Sequence, residues 1–350
     1  MMLRTGYTTG ACAAAAAKAA ALLLVHGACP ETVEIELPEG ARAAFAVVAS
    51  RRFEERAEAA VAKDAGDDPD VTHQALVRVE VAFIEESGIR FAAGEGVGTV
   101  TKPGLSIPPG EPAINPVPRE MIRKAVREVT PRGVRVEVAI PGGVELARKT
   151  FNPRLGIEGG LSIIGTTGIV KPFSAPALRA SLKCALEVAS ACGVKAPGLV
   201  PGNIGERAAR RHLAVAASDI VQVSNHWGFM LDEAARMPFE KLLILGHPGK
   251  LAKLVDGEWD THSSSSASAV GVVSRIARRE LGRFVPESAT VEGIFAALPP
   301  PESQSVGAAL ARAVCEAIQN RIGPARPLAV VLINLPGEIL GVYGDLSPWK

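Results

Sequence analysis

Aromatic side chains are scarce in this sequence. Only 4% of its 350 residues are Phe, Trp or Tyr, so Ala, Val, Leu and Ile must fill the core. Cysteine is scarce and unpatterned. Cys12, Cys29, Cys184, Cys192 and Cys315 fall at unrelated spacings with no CxxC, which argues against a disulfide framework or a cysteine metal cluster. A reduced cytoplasm is the natural compartment. Neither charge sign dominates: 38 basic against 37 acidic residues give a net charge of +1. That balance provides no electrostatic case for nucleic acid or for an acidic membrane. The longest apolar run, Ala11–Val25, follows Arg4 and precedes Cys29, as in an export signal. Lys18 interrupts it, and His26 stands where a lipidation signal wants a small or aliphatic residue. The run reads as a buried Ala-rich helix. No other stretch approaches the roughly 18 apolar residues of a membrane span.

What the sequence has is length and apolar content. At 350 residues and 47% apolar, two domains are expected, 1–155 and 156–350. The organising stretch is LSIIGTTGIVKPFS at 161–174. Its apolar start, its Gly/Thr break and the helical pattern after Ser174 read as strand, turn and helix. Such a turn aims backbone N–H groups at an anionic or dipolar ligand.

In the first domain, Thr8 or Thr9 caps a helix from about Gly10 to His26. The free N–H groups near Thr8–Ala11 either bind an anion or belong to an ordinary capped helix. Thr32–Leu37 and Ala43–Ala49 read as a hairpin, and Arg52–Ala62 as a short helix. Val77–Ile84, Ile89–Ala92 and Val134–Ala139 read as strands, and Arg119–Val129 as a helix. Asp67–His73 groups carboxylates with a His, but Pro69 argues for a turn. A polar substrate contact by Asp70 or His73 is the preferred reading over metal, and no protein metal site is expected. Gly94-Glu95-Gly96-Val97-Gly98 lacks a dinucleotide fingerprint's third Gly and the helix after it. It reads as a ligand loop with Glu95, Thr101 and Lys102 as its chemical side chains. The mixed order makes this domain α+β.

The second domain is more regular. Strands at Leu161–Gly165, Gly198–Val200, Ile220–Val223, Lys241–Leu245 and Leu328–Asn334 alternate with helices. That is the pattern of an α/β doubly wound, Rossmann-like parallel sheet, with its ligand outside the carboxyl ends of the strands. Four turns should collect there: Thr166-Thr167-Gly168, Gly202-Asn203-Ile204-Gly205, Ser224-Asn225-His226, and Gly246-His247-Pro248-Gly249-Lys250. Thr261-His262-Ser263 adds an imidazole. There is no GxSxG elbow and no phosphate-loop spacing. Spacing alone yields an enzyme with a nucleotide-like or other anionic ligand. His247 and His262 stand open between function and ordinary surface histidines.

Longer blocks are specific. LRTGYTTG at 3–10, DPDVTH at 68–73, GEGVGTVTKPGL at 94–105 and GEPAINPVPREMI at 110–122 resemble the CbiD family. KTFNPRLGIEGGLSIIGTTGIVKPFS at 149–174, GNIG at 202–205, SNHWGFMLDEA at 224–234 and GHPGKLAKL at 246–254 continue the likeness along nearly the whole chain. One departure follows Thr261-His262-Ser263, where SSSASAVGVV replaces the family's charged, Asp-containing segment.

The resemblance implies a cobalt-precorrin-5B (C1)-methyltransferase of anaerobic cobalamin biosynthesis. S-adenosylmethionine would be the methyl donor, and cobalt would enter only with the corphinoid substrate. Its product would be cobalt-precorrin-6A. The macrocycle's carboxylates want basic and polar partners, expected at Arg4, Thr8, Thr9, Asp70, His73, Glu95, Thr101, Lys102, Asn115, Arg119 and Lys171. The donor is expected on the second domain at Thr166, Thr167, Gly168, Gly202, Asn203, Gly205, Ser224, Asn225 and Gly246. His262, Lys250 and His247 are the candidate catalytic residues. No acidic residue ends the second strand to hold a ribose, so Asn203 or Glu206 must substitute. The competing readings are a nicotinamide-dependent reductase, which the missing GxGxxG disfavours, and a non-catalytic corrinoid carrier. No nucleic-acid or membrane partner is expected, and a homo-oligomer is left open.

Overall fold

The computed structural model describes residues 3–324 and 326–350. Two compact units meet at 175/176, Met1–Ala175 and Pro176–Lys350. This division lies beyond the boundary at 155/156 expected from the sequence.

The first unit is built on a five-stranded sheet. Its strands are β4 (Ala49–Arg52), β5 (Arg56–Ala62), β6 (Leu76–Phe83), β7 (Ile89–Ala93) and β9 (Val134–Ala139), in the order β4-β5-β6-β9-β7. Only the β7–β9 pair is parallel. Alternation sends Ala57, Ala59, Val61, Val77, Val79, Val81, Val134, Val136 and Val138 to the core, each at most 2% exposed. Arg78, Glu80, Arg135 and Glu137 stand on the opposite face, where Arg135 pairs with Glu80 and Glu137.

Against the inner face lies α1 (Thr9–His26), whose Ala run is buried on every side. Small side chains all round let it approach the sheet and α2 (Pro116–Arg127) closely. Among the described residues, α1 is the one helix long and apolar enough to cross a membrane, and 78% of it is buried. The β2–β3 hairpin (Thr32–Glu36, Arg42–Ala46) forms as expected. Short ladders pair β1 (Gly6–Tyr7) with β11 (Ile169–Val170), and β8 (Thr99–Val100) with β10 (Ile157–Glu158). One short helix, α3 (Gly143–Ala147), follows β9.

Two expectations are corrected here. Arg52–Ala62 is no helix: it carries the β4–β5 turn and β5 itself. Its Ala and Glu content favours helix locally, but seven residue pairs with β6 and burial of alternate side chains outweigh that propensity. Leu161–Gly165 is not the first strand of the second unit. Leu161 and Ile163 bridge to Val97 and Ile114 and are buried in the first unit's core. Thr166-Thr167-Gly168 is therefore no strand-to-helix turn of the second sheet.

The second unit contains β12 (Gly198–Val200), β13 (Ile220–Gln222), β14 (Leu242–Gly246), β15 (Leu328–Ile333) and β16 (Ile339–Tyr343). They form one sheet, in the order β13-β12-β14-β15-β16. The first four are parallel and β16 is antiparallel. The fifth strand is thus supplied by the C-terminal β16 rather than by Leu161–Gly165. Helices α4 (Ala175–Ala191), α5 (Asn203–His212), α6 (Trp227–Arg236), α7 (Pro248–Leu251), α8 (Val270–Leu281), α9 (Val291–Ala296) and α10 (Pro300–Ile322) complete the unit. Leu243, Leu245, Ala329, Val331 and Ile333 pack with Ala208 and Ala209 of α5 and with Trp349. Leu242, Ile244, Val330 and Leu332 alternate with them and are also fully buried, so both sheet faces are covered.

Candidate functional site

The four parallel strands of the second unit run the same way, so their carboxyl ends share one edge. The chain leaves β12 for β13 on one side and then crosses to β14 on the other. Three of the expected turns lie at the shared edge. In the first, Asn203 begins α5, and its Oδ1 accepts from Gln222 Nε2 at 2.8 Å. The same Gln222 nitrogen donates to Glu206 Oε2 at 2.9 Å. A carboxylate thus stands beside Asn203 at this edge, although none ends a strand. Gly205 is needed here because a Cβ would sit 3.0 Å from Val200 Cβ, where α5 presses on β12.

The second turn holds Ser224 in the left-handed region, at φ 55°. A serine there is strained, and such strain concentrates where a turn aims groups at a ligand. Next to it, Asn225 Oδ1 accepts from Lys250 Nζ at 2.8 Å and from Thr261 Oγ1 at 3.3 Å. Burial, then the nearby Lys253, push the Lys250 pKa down. His226 follows, with Nδ1 3.6 Å from Asp260 and 3.5 Å from Arg179 Nε. Burial pulls the His226 pKa down, against the opposing pull of Asp260. Arg179 and His262 add to the lowering. His226 is therefore a neutral imidazole near pH 7, able to accept a proton.

In the third turn His247 is the N-cap residue of α7. Its Nδ1 accepts from Gly249 N–H at 2.9 Å, and its Nε2 faces Glu292 at 2.8 Å. Both ring nitrogens of His247 thus have partners within the fold. His262 is exposed, with Nδ1 2.7 Å from Ser264 Oγ. Lys253 was missed by sequence reasoning. It is 8% exposed and donates to Ser266 Oγ at 2.8 Å and to the Thr261 carbonyl at 3.3 Å. Its signal was the Lys250-to-Lys253 spacing of three, which places both on one face of a helical turn.

In the first unit, several expected substrate residues have partners within the fold. Thr8 Oγ1 accepts from Ala11 N–H at 3.2 Å, and Gly10 N–H donates to the Ile164 carbonyl. Thr9 Oγ1 accepts from Ile164 N–H at 2.9 Å. The anion-binding reading of the α1 N-terminus is corrected accordingly: Gly10 and Ala11 already have partners, and the 161–168 loop covers them. Asp70 accepts from buried Lys63 at 2.7 Å and from Thr72. His73 Nδ1 accepts from Ala65 N–H at 3.1 Å. Arg4 pairs with Asp64, whose carboxyl is held down to about 2 by the Arg4 side chain and by Gly66 N–H. Thr101 Oγ1 donates to the Gly156 carbonyl at 2.9 Å. Asn115 is the N-cap residue of α2 without a side-chain cap bond. Glu95 and Lys171 are exposed, and Lys102 packs against Gly156. Arg119 donates to the Ile114 carbonyl at 2.8 Å and to Glu111 at 3.1 Å. It lines a cavity of about 330 Å³ together with Ser106, Ile107, Pro108, Glu120 and Arg123. Among the described residues, no His, Cys, Asp and Glu group is arranged to hold a metal ion.

Comparison with known proteins decides the family. The CbiD family model matches residues 1–172, and the model of the CbiD C-terminal domain matches residues 260–344. A Syntrophotalea carbinolica protein named cobalt-precorrin-5B C(1)-methyltransferase is 55% identical over 348 residues, 99% of each chain. The chain belongs to the CbiD family. A Moorella thermoacetica protein of the same name is 41% identical, covering 97% of this chain and 94% of its own. The crystal structure of the cobalamin biosynthesis protein (cbiD) from Archaeoglobus fulgidus is 32% identical with a TM-score of 0.38, covering 71% of this chain and 78% of that one.

The CbiD match at 1–172 ends close to the division at 175/176. Within this CbiD chain, the LRTGYTTG and SIIGTTG blocks are one structural object. Thr8 N–H donates to the Gly168 carbonyl at 3.0 Å. A Cβ on Gly165, at φ 134°, would meet Thr8 Oγ1 at 2.2 Å. DPDVTH supplies the carboxylate of a buried ion pair. SNHW and GHPGK meet through Asn225 and Lys250.

Proposed function

We propose that this chain transfers a methyl group from S-adenosylmethionine to C1 of cobalt-precorrin-5B, giving cobalt-precorrin-6A in anaerobic cobalamin biosynthesis. One observation carries the proposal: 55% identity over 99% of both chains to a protein named for that reaction. The second unit's sheet supports a donor site. Its strand order and parallel direction fit a doubly wound, Rossmann-like reading with the ligand at the β12/β14 crevice. Asn203, Glu206 and Gln222 offer acceptors and a donor suited to a ribose, while Ser224 and Asn225 line the neighbouring turn. The donor supplies an electrophilic methyl on a sulfonium.

The chain's own contribution would be positioning and exclusion of water. His226, neutral near pH 7 and beside Asp260, and His262 are the groups placed to take a proton that sets the macrocycle's tautomer. The macrocycle's carboxylates would be held by basic side chains of the first unit. Arg119, Arg123, Lys102 and Lys171 are the candidates, and Arg119 and Arg123 line the cavity above.

Incubation of the protein with cobalt-precorrin-5B and S-adenosylmethionine should yield product heavier by one methyl group in mass spectrometry. The reading fails if no methyl is added while a 55%-identical relative, run beside it, converts the same substrate. His226→Ala should lower kcat by about a hundredfold if the imidazole is the base.

A further inference from the structure

Two lysines of the second unit lack what a buried cation needs. Lys253 is 8% exposed, and both acceptors of its ammonium are neutral: Ser266 Oγ at 2.8 Å and the Thr261 carbonyl at 3.3 Å. Lys250 is half-buried and donates to the neutral Asn225 Oδ1 at 2.8 Å. No acidic side chain is among the groups that shift Lys250, and its one charged neighbour there is Lys253. The contrast within the same molecule is Lys63. At 1% exposed it is equally hidden, yet Asp70 stands 2.7 Å away. Taking an ammonium out of water against neutral partners alone is costly, and bringing two together costs more. A fold that keeps such a pair for no purpose would gain by replacing either lysine with an apolar residue.

The position gives the pair a use. Lys250 lies in α7 and Lys253 in the 3-10 turn that continues it, so the two ammonium stems share one face. The chain has just left β14 at the carboxyl edge of the parallel strands. Asn225, from the end of β13, holds Lys250 and also accepts from Thr261 Oγ1, tying three segments into one corner. We propose that Lys250, Lys253 and Asn225 form a carboxylate-binding corner, which takes a carboxylate of one of the two reactants. The inference rests on the methyl-transfer reading and assigns to these residues the group they recognise. Two reactants carry that chemistry: the amino-acid end of S-adenosylmethionine, and the acid side arms of the macrocycle.

Calorimetric titration of the full-length protein separates the two sources. The probes are S-adenosylhomocysteine, decarboxylated S-adenosylmethionine and a cobalt corrinoid with free acid arms. The proteins are wild type, Lys250→Met and Lys253→Met. If the corner reads the donor, both variants bind S-adenosylhomocysteine about tenfold or more weakly, with affinity for the decarboxylated donor unchanged, as the loss of a charge-assisted bond implies. If it reads the macrocycle, corrinoid affinity falls by a like factor and S-adenosylhomocysteine affinity stays. Wild-type affinity for S-adenosylhomocysteine and for the corrinoid in both variants overturns the corner. Failure of the wild type to bind either probe overturns the methyl-transfer reading and the corner with it. Thermal melting separates recognition from a structural role, because Lys253→Met should melt no lower than wild type. If Lys253→Met does not fold, Lys250→Met, at the half-buried position, carries the same test.

Discussion

Single residues decide how charge is tolerated inside this protein. Lys63 continues the inward parity of Ala57, Ala59 and Val61 along the β5 direction, so a lysine points where an apolar residue is expected. Asp70 answers it. Burial alone would raise the Asp70 carboxyl, but hydrogen bonds from Lys63 and Thr72 outweigh that and hold it below the usual range. The sign follows: a depressed carboxyl contributes stability above its unfolded pKa, near 4, and that contribution is lost as pH falls through the lower folded value. Asp70→Asn should cost about 3–5 kcal/mol at pH 7, because it leaves Lys63 buried without its charge. Urea unfolding at pH 7 and pH 3 checks both points, since the gap between variant and wild type should narrow in acid. Gly165 is a second such residue. Gly165→Ala meets Thr8 Oγ1 and holds alanine at φ 134°, so it should lower stability by about 1–3 kcal/mol in the same assay.

At the scale of elements, α1 shows how an apolar helix becomes a spacer. Ala13 to Ala17 are all fully buried, so no face is left for a longer side chain. Ala16→Leu should overpack the contact with β5, β6 or α2 and cost about 1–3 kcal/mol, read as a lower Tm. The same element explains why the 161–168 loop was misplaced. Its apolar residues look like a strand, but Ile164 and Gly168 offer their carbonyls to Gly10 and Thr8 N–H. A loop distant in sequence closes the helix terminus, and no local pattern announces that. β5 was hidden for the opposite reason: RAEAAVA has helical composition, and only pairing with β6 makes it extended. In the sequence His226 stands only as one residue of the Ser224-Asn225-His226 turn, with nothing local to set it above His247 or His262. Its lowered pKa arises from burial, with Arg179 of α4 and His262 adding to it against the opposing pull of Asp260.

For the whole molecule, the proposed function assigns the macrocycle and the methyl donor to different units of the division at 175/176. Arg4, Lys102, Arg119 and Lys171 all fall in the first unit, including Lys171, which the earlier boundary gave to the second. The proposal makes the two binding functions separable in steady-state kinetics. Lys102→Met with Lys171→Met should raise KM for cobalt-precorrin-5B by about tenfold, as lost charge-assisted contacts do. The Kd for S-adenosylhomocysteine should stay unchanged. A matched fall in donor affinity would show that these lysines do not serve the macrocycle alone.

By itself the sequence determined the Ala-rich helix, the β2–β3 hairpin, strands β6, β7 and β9, the four parallel strands of the second sheet and the family. Each of these rests on periodicity, composition or contiguous blocks, which are local quantities. It also placed three of the four expected turns at one edge of the second sheet, because parallel strands followed by helices deliver their turns to the same side. Tertiary structure decided what locality cannot carry. It moved GTTG from the second sheet to the cap of α1, and it supplied β16 as the fifth strand. It paired Lys63 with Asp70 and, among the described residues, gave Lys250 and Lys253 neutral acceptors. In each case the outcome depends on which distant backbone or charge fills a site, and that is fixed by packing rather than by spacing along the chain.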